Sequence, residues 1–246
     1  MSEEDLPFQK LAPVYDELMG SIFYDKMLPY FELLIKKYRI EGKKMLELAC
    51  GTGTCSIYFA KHGYNVKGLD VSTSMLEIAR KKASREGVNI EFVKADMRNF
   101  NFDETFDLVV CLFDSINYIL KKEELENCFN NTYNVLKEGG YFLFDINTIH
   151  GLREVWNNKV EICKINDGSS VWKTRWEEKS KIAYLTISVK CKNNSFKELH
   201  LERGYTKDEL VLGLRSQGFT TINVLDCFSF RKGIDKSVRW MVIARK

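Results

Sequence analysis

The run Glu47-Leu48-Ala49-Cys50-Gly51-Thr52-Gly53-Thr54 carries the residue types needed to seat a ligand against main chain. Glycine admits a ligand where a Cβ would collide, and a turn of this kind feeds a helix N-terminus whose free N–H groups suit a negative group. Asp70 follows nineteen positions after Gly51, and an acid at that spacing can accept both hydroxyls of a ribose. Alone, the Gly-x-Gly turn would serve equally as a tight strand-to-helix connection, and Asp70 as a turn starter or helix cap. Found together, each at the end of an apolar strand, they point to a nucleoside-containing ligand.

The surrounding pattern supplies the elements that would position these groups. Met45 to Ala49 reads as a short strand, Thr54 to His62 as a helix stopped by Gly63, and Asn65 to Leu69 as a second strand. Ser72 or Thr73 can cap a helix running to about Glu86. Asn89 to Lys94 and Phe106 to Leu112 follow as strands, the latter nearly all apolar, as expected of a parallel strand covered on both faces. Lys122 to Leu136 has a helical period, Gly139-Gly140 ends it, and Tyr141 to Ile146 is a fifth strand. Regular strand–helix alternation implies a parallel sheet with helices on both sides, an α/β fold. Before it, Leu28, Phe31, Leu34, Ile35 and Tyr38 lie at helical spacing within a preamble, residues 1–42.

After His150 the rhythm changes. Lys181 to Cys191 and Leu199 to Tyr205 alternate, with Asp167-Gly168 and Asn193-Asn194 as turn signals, which predicts an inserted antiparallel sheet over 151–203. Thr206-Lys207-Asp208-Glu209 is a capping box for a helix stopped by Gly218. The final strands, about Thr221 to Phe230 and Ser237 to Ala244, have too short a connection to be anything but antiparallel. The expected domains are therefore a helical lid (1–42), a ligand-binding core (43–150 and 204–246) and the β insertion (151–203).

Bulk properties narrow the class. Against 34 acidic residues stand 37 basic ones, a net charge of +3 that offers no electrostatic case for nucleic acid. The acidic start Met1-Ser2-Glu3-Glu4-Asp5 reverses the order of a signal peptide, and no run approaches the apolar length of a membrane helix. The seven cysteines are scattered without a Cys-x-x-Cys pair, which suggests free thiols, no zinc site and a cytoplasmic location.

A dinucleotide-binding enzyme shares the early pattern, but its fingerprint wants Gly or Ala where Ser56 stands, and it would not close on two adjacent antiparallel strands. Five motifs in order instead resemble the class I S-adenosylmethionine (SAM)-dependent methyltransferases. Glu47 to Gly53 resembles their first motif, and Leu69-Asp70-Val71-Ser72-Thr73-Ser74-Met75-Leu76 their second-strand motif. Ala95-Asp96-Met97-Arg98 is similar to their adenine-contacting turn, Phe106-Asp107-Leu108-Val109-Val110 to their fourth strand, and Leu136 to Gly140 to the turn before the fifth. Ala49-Cys50 stands where many members have Gly-Cys.

The resemblance implies a Rossmann-like sheet of seven mostly parallel strands with the last antiparallel, SAM as cofactor and S-adenosylhomocysteine (SAH) as product. It implies that Gly51 and Gly53 line the methionine part, Glu47 favours its ammonium, Asp70 and the adjoining Val71 meet the ribose, and Met75 packs on the adenine. Asp96 and Met97 would meet the adenine edge, with Leu112 and Phe113 on the other side. Tyr15, within Leu11-Ala12-Pro13-Val14-Tyr15-Asp16, resembles a lid element placed over the cofactor or facing the methyl group.

Acceptor residues should gather at the carboxyl ends of the fourth and fifth strands and on the insertion. Ser115, Asn117, Tyr118, Trp172, Trp176, His200 and Arg203 are the substrate candidates, with Asp114 and Glu198 nearby; Glu198, His200 and Glu202 share one strand face. Tyr15, Asn147 and His150 are the catalytic candidates. The insertion resembles those of sugar-amine and glycine N-methyltransferase-like enzymes, which favours a small-molecule amine acceptor and allows a homodimer through the added strands. An O-methyltransferase, an RNA or protein methyltransferase, and a SAM-binding regulatory protein without catalysis are the alternatives.

Overall fold

In a computed structural model of the chain, residues 7–19, 22–192 and 195–246 are described. The acidic start and the Asn193-Asn194 turn signal lie outside these residues. The main sheet has seven strands: β1 (Lys44–Leu48), β2 (Asn65–Asp70), β3 (Glu91–Lys94), β4 (Phe106–Cys111), β5 (Leu136–Asn147), β10 (Thr221–Asp226) and β11 (Arg239–Arg245). Their order is β10-β11-β5-β4-β1-β2-β3, and only β11 runs against its neighbours. Stepping outward in both directions from β1 and β4 creates the strand-order reversal beside which α/β sheets bind ligands. Helices α1 (Ala12–Met19), α2 (Ile22–Lys37), α3 (Thr54–Lys61), α4 (Thr73–Arg85), α5 (Lys122–Val135) and α6 (Lys207–Ser216) complete the fold.

The central strands are apolar because both faces are covered. Leu46, Leu48, Val109, Phe142 and Phe144 pack with Phe129 and Leu210 on one side; Met45, Val110, Leu143 and Met241 pack with Phe31, Leu34 and Phe59 on the other. Expected caps hold: Ser72 Oγ accepts from Met75 N–H at 3.2 Å, and Thr206 and Glu209 make the reciprocal capping box. The fifth strand starts earlier than the Gly139-Gly140 signal suggests, at Leu136, with a register shift opposite Phe106–Leu108; the glycines sit inside this irregular entry. The tenth strand is shorter than expected, ending at Asp226, because the chain folds back there through a Leu225–Lys232 bridge.

The insertion is a four-strand antiparallel meander, β6 (Val160–Ile165), β7 (Gly168–Glu177), β8 (Ile182–Cys191) and β9 (Ser195–Arg203), entered through a π-helical turn at Gly151–Trp156. Its inner face, with Ile187, Val189, Trp172 and Leu185, packs on Leu11, Val14 and Leu18 of the N-terminal segment. No helix among the described residues is long and apolar enough to cross a membrane.

Candidate active site

Between the carboxyl ends of the parallel strands, α1 and the inner face of the insertion lies a cavity of about 890 Å³, near the top of the range for small-molecule sites. Its floor begins at the turn after β1. Gly51 adopts φ +54°, and a Cβ there would meet nothing within 4 Å: this glycine faces open cavity. Gly53, at φ +75°, differs. A Cβ would lie 2.9 Å from Ala79 Cβ and 3.0 Å from Phe92, so packing against α4 and β3 demands this glycine, and it stands behind the wall rather than on it. Glu47 is also set back. Its buried carboxyl takes hydrogen bonds from Ser56 and Cys55, burial pushes its pKa up to about 7, and it is not part of the lining.

Asp70 lines the cavity at the end of β2. Gly51 N–H donates to its Oδ2 and Ser72 N–H to its Oδ1, both at 2.8 Å. The Val71 amide also bonds this carboxyl; of the about four acceptor sites of a carboxylate, about one stays open for a ribose hydroxyl. Burial raises the Asp70 pKa, with the backbone amides acting against it. Val71 and the buried Met75 continue the wall, and Asp96, Met97 and Arg98 form its far end. Asp96 is engaged by Arg98 at 2.6 Å; burial would raise its pKa, but Arg98 outweighs it and holds the carboxyl below its ordinary range. The open position beside Gly51, the remaining acceptor site of Asp70 and the apolar slab at Met75 fit an adenosyl group carrying a small polar tail.

Across from Asp70, Phe113 and Asp114 both take left-handed backbone, φ 61° and 51°. Both N–H groups donate to Asp145 of β5, at 2.7 and 3.1 Å, which fixes the strain in place. Phe113 lines the cavity and packs on Tyr24 with ring centroids 4.3 Å apart, while Leu112 is buried behind it. Tyr15 projects from α1 into the lining with its hydroxyl bonded to that of Tyr24. Burial first, then Asp114, raises its pKa, so the phenol keeps its proton.

The acceptor side is a polar cluster. Arg239, at the start of β11, reaches Asp114 at 3.0 Å and also pairs with Asp145. Asn147 Nδ2 donates to Asp114 Oδ2 at 2.9 Å and to Glu202 Oε2 at 3.0 Å. Glu202 lines the cavity from β9, yet its side chain is nearly all buried. Burial, then Asp114, pushes its pKa up to about 8, with Asn147 and Arg239 pulling the other way. Asn147 Oδ1 is buried without a hydrogen-bond partner.

The remaining sequence candidates separate. Ser115, Tyr118 and Trp172 lie on the wall beside Asn147. His200 is fully buried behind Tyr118, its Nδ1 3.1 Å from the Tyr118 hydroxyl. Asn117 is structural: its Nδ2 donates to the carbonyls of Asn147 and Arg203, its Oδ1 accepts from Asn147 N–H, and no part of it lines the cavity. Arg203 ties Leu120 and Glu209 and is not part of the lining, and Trp176 bonds Glu178 and covers Gly204. His150 precedes the π-helical turn, outside the lining. Asp145 and Arg239 escaped the sequence reading. The signal was a charge inside the apolar run Tyr141 to Ile146, which only a buried partner could accommodate. Among the described residues, no group of three or more His, Cys, Asp or Glu could hold a metal ion.

Known proteins resemble this architecture. A family model described as "Methyltransferase domain" matches residues 45–140. The Bacillus subtilis (strain 168) protein named "Putative methyltransferase YqeM" is 32% identical over 244 residues, 97% of each chain. A crystal structure of a SAM-dependent methyltransferase from Clostridium acetobutylicum ATCC 824 superimposes with TM-score 0.84 at 27% identity, covering 97% of this chain and 98% of that one. A Streptomyces venezuelae dTDP-3-amino-3,4,6-trideoxy-alpha-D-glucopyranose N,N-dimethyltransferase is 33% identical over 107 residues, 44% of each chain. With a full-length relative above 30% identity, a seven-strand sheet whose one reversed strand is β11, and a cavity shaped for an adenosyl group, the chain belongs to the class I SAM-dependent methyltransferases.

Proposed function

We propose that this enzyme methylates a nitrogen of a small-molecule amine, bound between the ends of β4 and β5 and the inner face of the insertion. The observation that carries the reading is the cluster in which three carboxyl groups, Asp114, Asp145 and Glu202, gather around the guanidinium of Arg239. With Glu202 ionised, this cluster has an excess of negative charge that an ammonium would balance, whereas a carboxylate acceptor would add to it. The partial relative named as an amino-sugar N,N-dimethyltransferase supports the same acceptor class.

SAM supplies, when bound, a methyl group already activated by its sulfonium. The protein's task is alignment, desolvation and removal of one proton from the amine. Glu202, with its pKa near 8, takes that proton from the ammonium before attack, leaving the nitrogen lone pair free. Asn147 holds Glu202 and Asp114 in one orientation. Tyr15, kept protonated, donates a hydrogen bond rather than acting as a base. Gly51, Asp70, Val71, Met75, Asp96, Met97 and Phe113 form the cofactor wall, and Tyr118, Ser115 and Trp172 the acceptor wall.

In this reading residues 1–42 cover the cofactor, 43–150 with 204–246 bind it, and 151–203 select the acceptor. Near-balanced charge supports a small molecule over nucleic acid, and free cysteines support a cytoplasmic setting. Val160, Ile162 and Leu199 are exposed on the outer side of the insertion, where self-association would bury them. The test is an acceptor screen read by SAH formation, using amino sugars and simple primary amines beside catechols and carboxylic acids. Turnover confined to amines, with mass spectrometry locating the methyl on nitrogen, is expected. Turnover confined to hydroxyl or carboxyl acceptors would sink the amine reading.

A further inference from the structure

One carboxylate of the insertion gathers the N-terminal segment. Pro7, Phe8, Lys10 and Leu11 line the cavity. Phe8 N–H donates to Glu198 Oε2 at 2.9 Å, while Lys10 N–H and Leu11 N–H donate to Oε1 at 2.7 and 2.9 Å. Phe8 has φ 68°, the left-handed geometry that lets nearby amides converge on one anion. Behind Glu198, on the same face of β9, His200 places Nε2 3.1 Å from Oε2. The other ring nitrogen faces the Tyr118 hydroxyl. The Phe8 ring closes the group, with centroids 4.6 Å from His200, 5.3 Å from Tyr118 and 5.8 Å from Tyr15.

We propose that Glu198 and His200 are positioning residues that latch residues 7–11 over the cofactor, and that Tyr118 wires this latch to the acceptor side of the cavity. The proposal rests on the cofactor and acceptor walls assigned above. The buried His200 ring is thus wedged between the two groups, Nδ1 facing the Tyr118 hydroxyl and Nε2 close to the Glu198 carboxylate without a hydrogen bond to it. The Tyr118 oxygen is left with lone pairs to offer the cavity. An acceptor N–H donating to that oxygen pulls on Tyr118, and the close-packed His200 ring between Tyr118 and Glu198 passes the shift on. Acceptor contact thereby reaches the segment that covers the cofactor.

The experiment is hydrogen–deuterium exchange of the amides of residues 7–11 in the cofactor-free protein, joined to stopped-flow release of SAH, for wild type, Glu198→Gln, Tyr118→Phe and the double variant. Glu198→Gln should speed exchange of Phe8, Lys10 and Leu11 and release of SAH at least tenfold. Tyr118→Phe should do the same more weakly, and the double variant should be no faster than Glu198→Gln, since both changes cut one chain. Unchanged exchange in Glu198→Gln overturns the latch; effects that multiply in the double variant overturn the wiring. If Glu198→Gln also exposes the amides of 142–144, showing wider unfolding, Lys10→Pro replaces it: this removes one N–H from an exposed position and should speed SAH release. Unchanged release in that variant overturns the latch as well. Exchange needs no ligand, so a wild type that keeps 7–11 protected but binds no SAH would refute the cofactor reading and spare the latch.

Discussion

Asp114 and Glu202 are joined through a single side-chain amide: Asn147 Nδ2 lies 2.9 Å from one carboxylate and 3.0 Å from the other. One residue follows β4, the other is the last but one of β9, and Asn147 closes β5. The amide brings the two carboxyls together at the point where core and insertion meet. Each charge raises the cost of ionising the other, which is the condition a proton acceptor working near neutrality requires.

The rate should therefore follow the ionisation of Glu202. Its pKa is about 8, and the base works deprotonated, so kcat for an amine acceptor is expected to rise with pH through that value and then level. Glu202→Gln should flatten the profile and lower kcat by roughly 10²–10⁴-fold. A pH–rate series on both proteins checks it; a Gln variant that keeps the wild-type rise would remove Glu202 from proton transfer.

Stability should show the opposite trend. Because folding raises this carboxyl from 4.5 to about 8, the protonated native form is favoured at low pH. That contribution is complete below the unfolded pKa and is lost as pH climbs through the folded one. Thermal melting from pH 5 to 8.5 should find wild type losing stability relative to Glu202→Gln as pH increases.

Two glycines a single position apart should fail in different ways. Gly53→Ala strains φ and drives a methyl against Ala79 and Phe92, so it should lower the melting temperature. Gly51→Ala carries the same φ strain but no clash, so it should lower the melting temperature less, and its methyl projects into the cavity, so it should also lose SAM affinity. Calorimetry with SAM and thermal melting on both variants would separate them.

Asp70→Ala should weaken SAM and SAH by tenfold or more, about 1.4 kcal/mol or above. Titration calorimetry is the direct measurement, and undiminished affinity would remove Asp70 from the cofactor site.

Arg239→Met leaves Asp114 and the fully buried Asp145 without their guanidinium. Losing one partner of a buried ion pair costs about 3–5 kcal/mol. Denaturant unfolding should register that loss.

The cofactor half was legible because its signals are local. Asp70, Val71, Met75 and Met97 each stand at a strand end or the helix it feeds, so placing the strand placed the residue. Gly51 and Gly53 looked alike in sequence, and only the neighbours of each Cβ position distinguish one that faces the cavity from one that packs against α4 and β3. The acceptor half resisted because its contacts are distant. Asp114 and Arg239 lie 125 positions apart, and Asn147 and Glu202 lie 55 apart. Alternation along β7 and β9 assigned faces, but not what those faces meet. That is why Trp172 reaches the wall while Trp176, four residues on, covers Gly204 instead.

The insertion leaves the core at Asn147 and returns at Arg203, and one side chain, Asn117, bonds the backbone of both. Thr148 and Tyr205 bridge just beyond. Asn117 thus holds the two stems together where they leave the sheet. Lengthening a closed loop costs little, about 0.6 kcal/mol per doubling. On the proposed assignment of 151–203 to the acceptor, strands could lengthen or change beyond this junction, altering the acceptor chemistry while the cofactor half keeps its sheet.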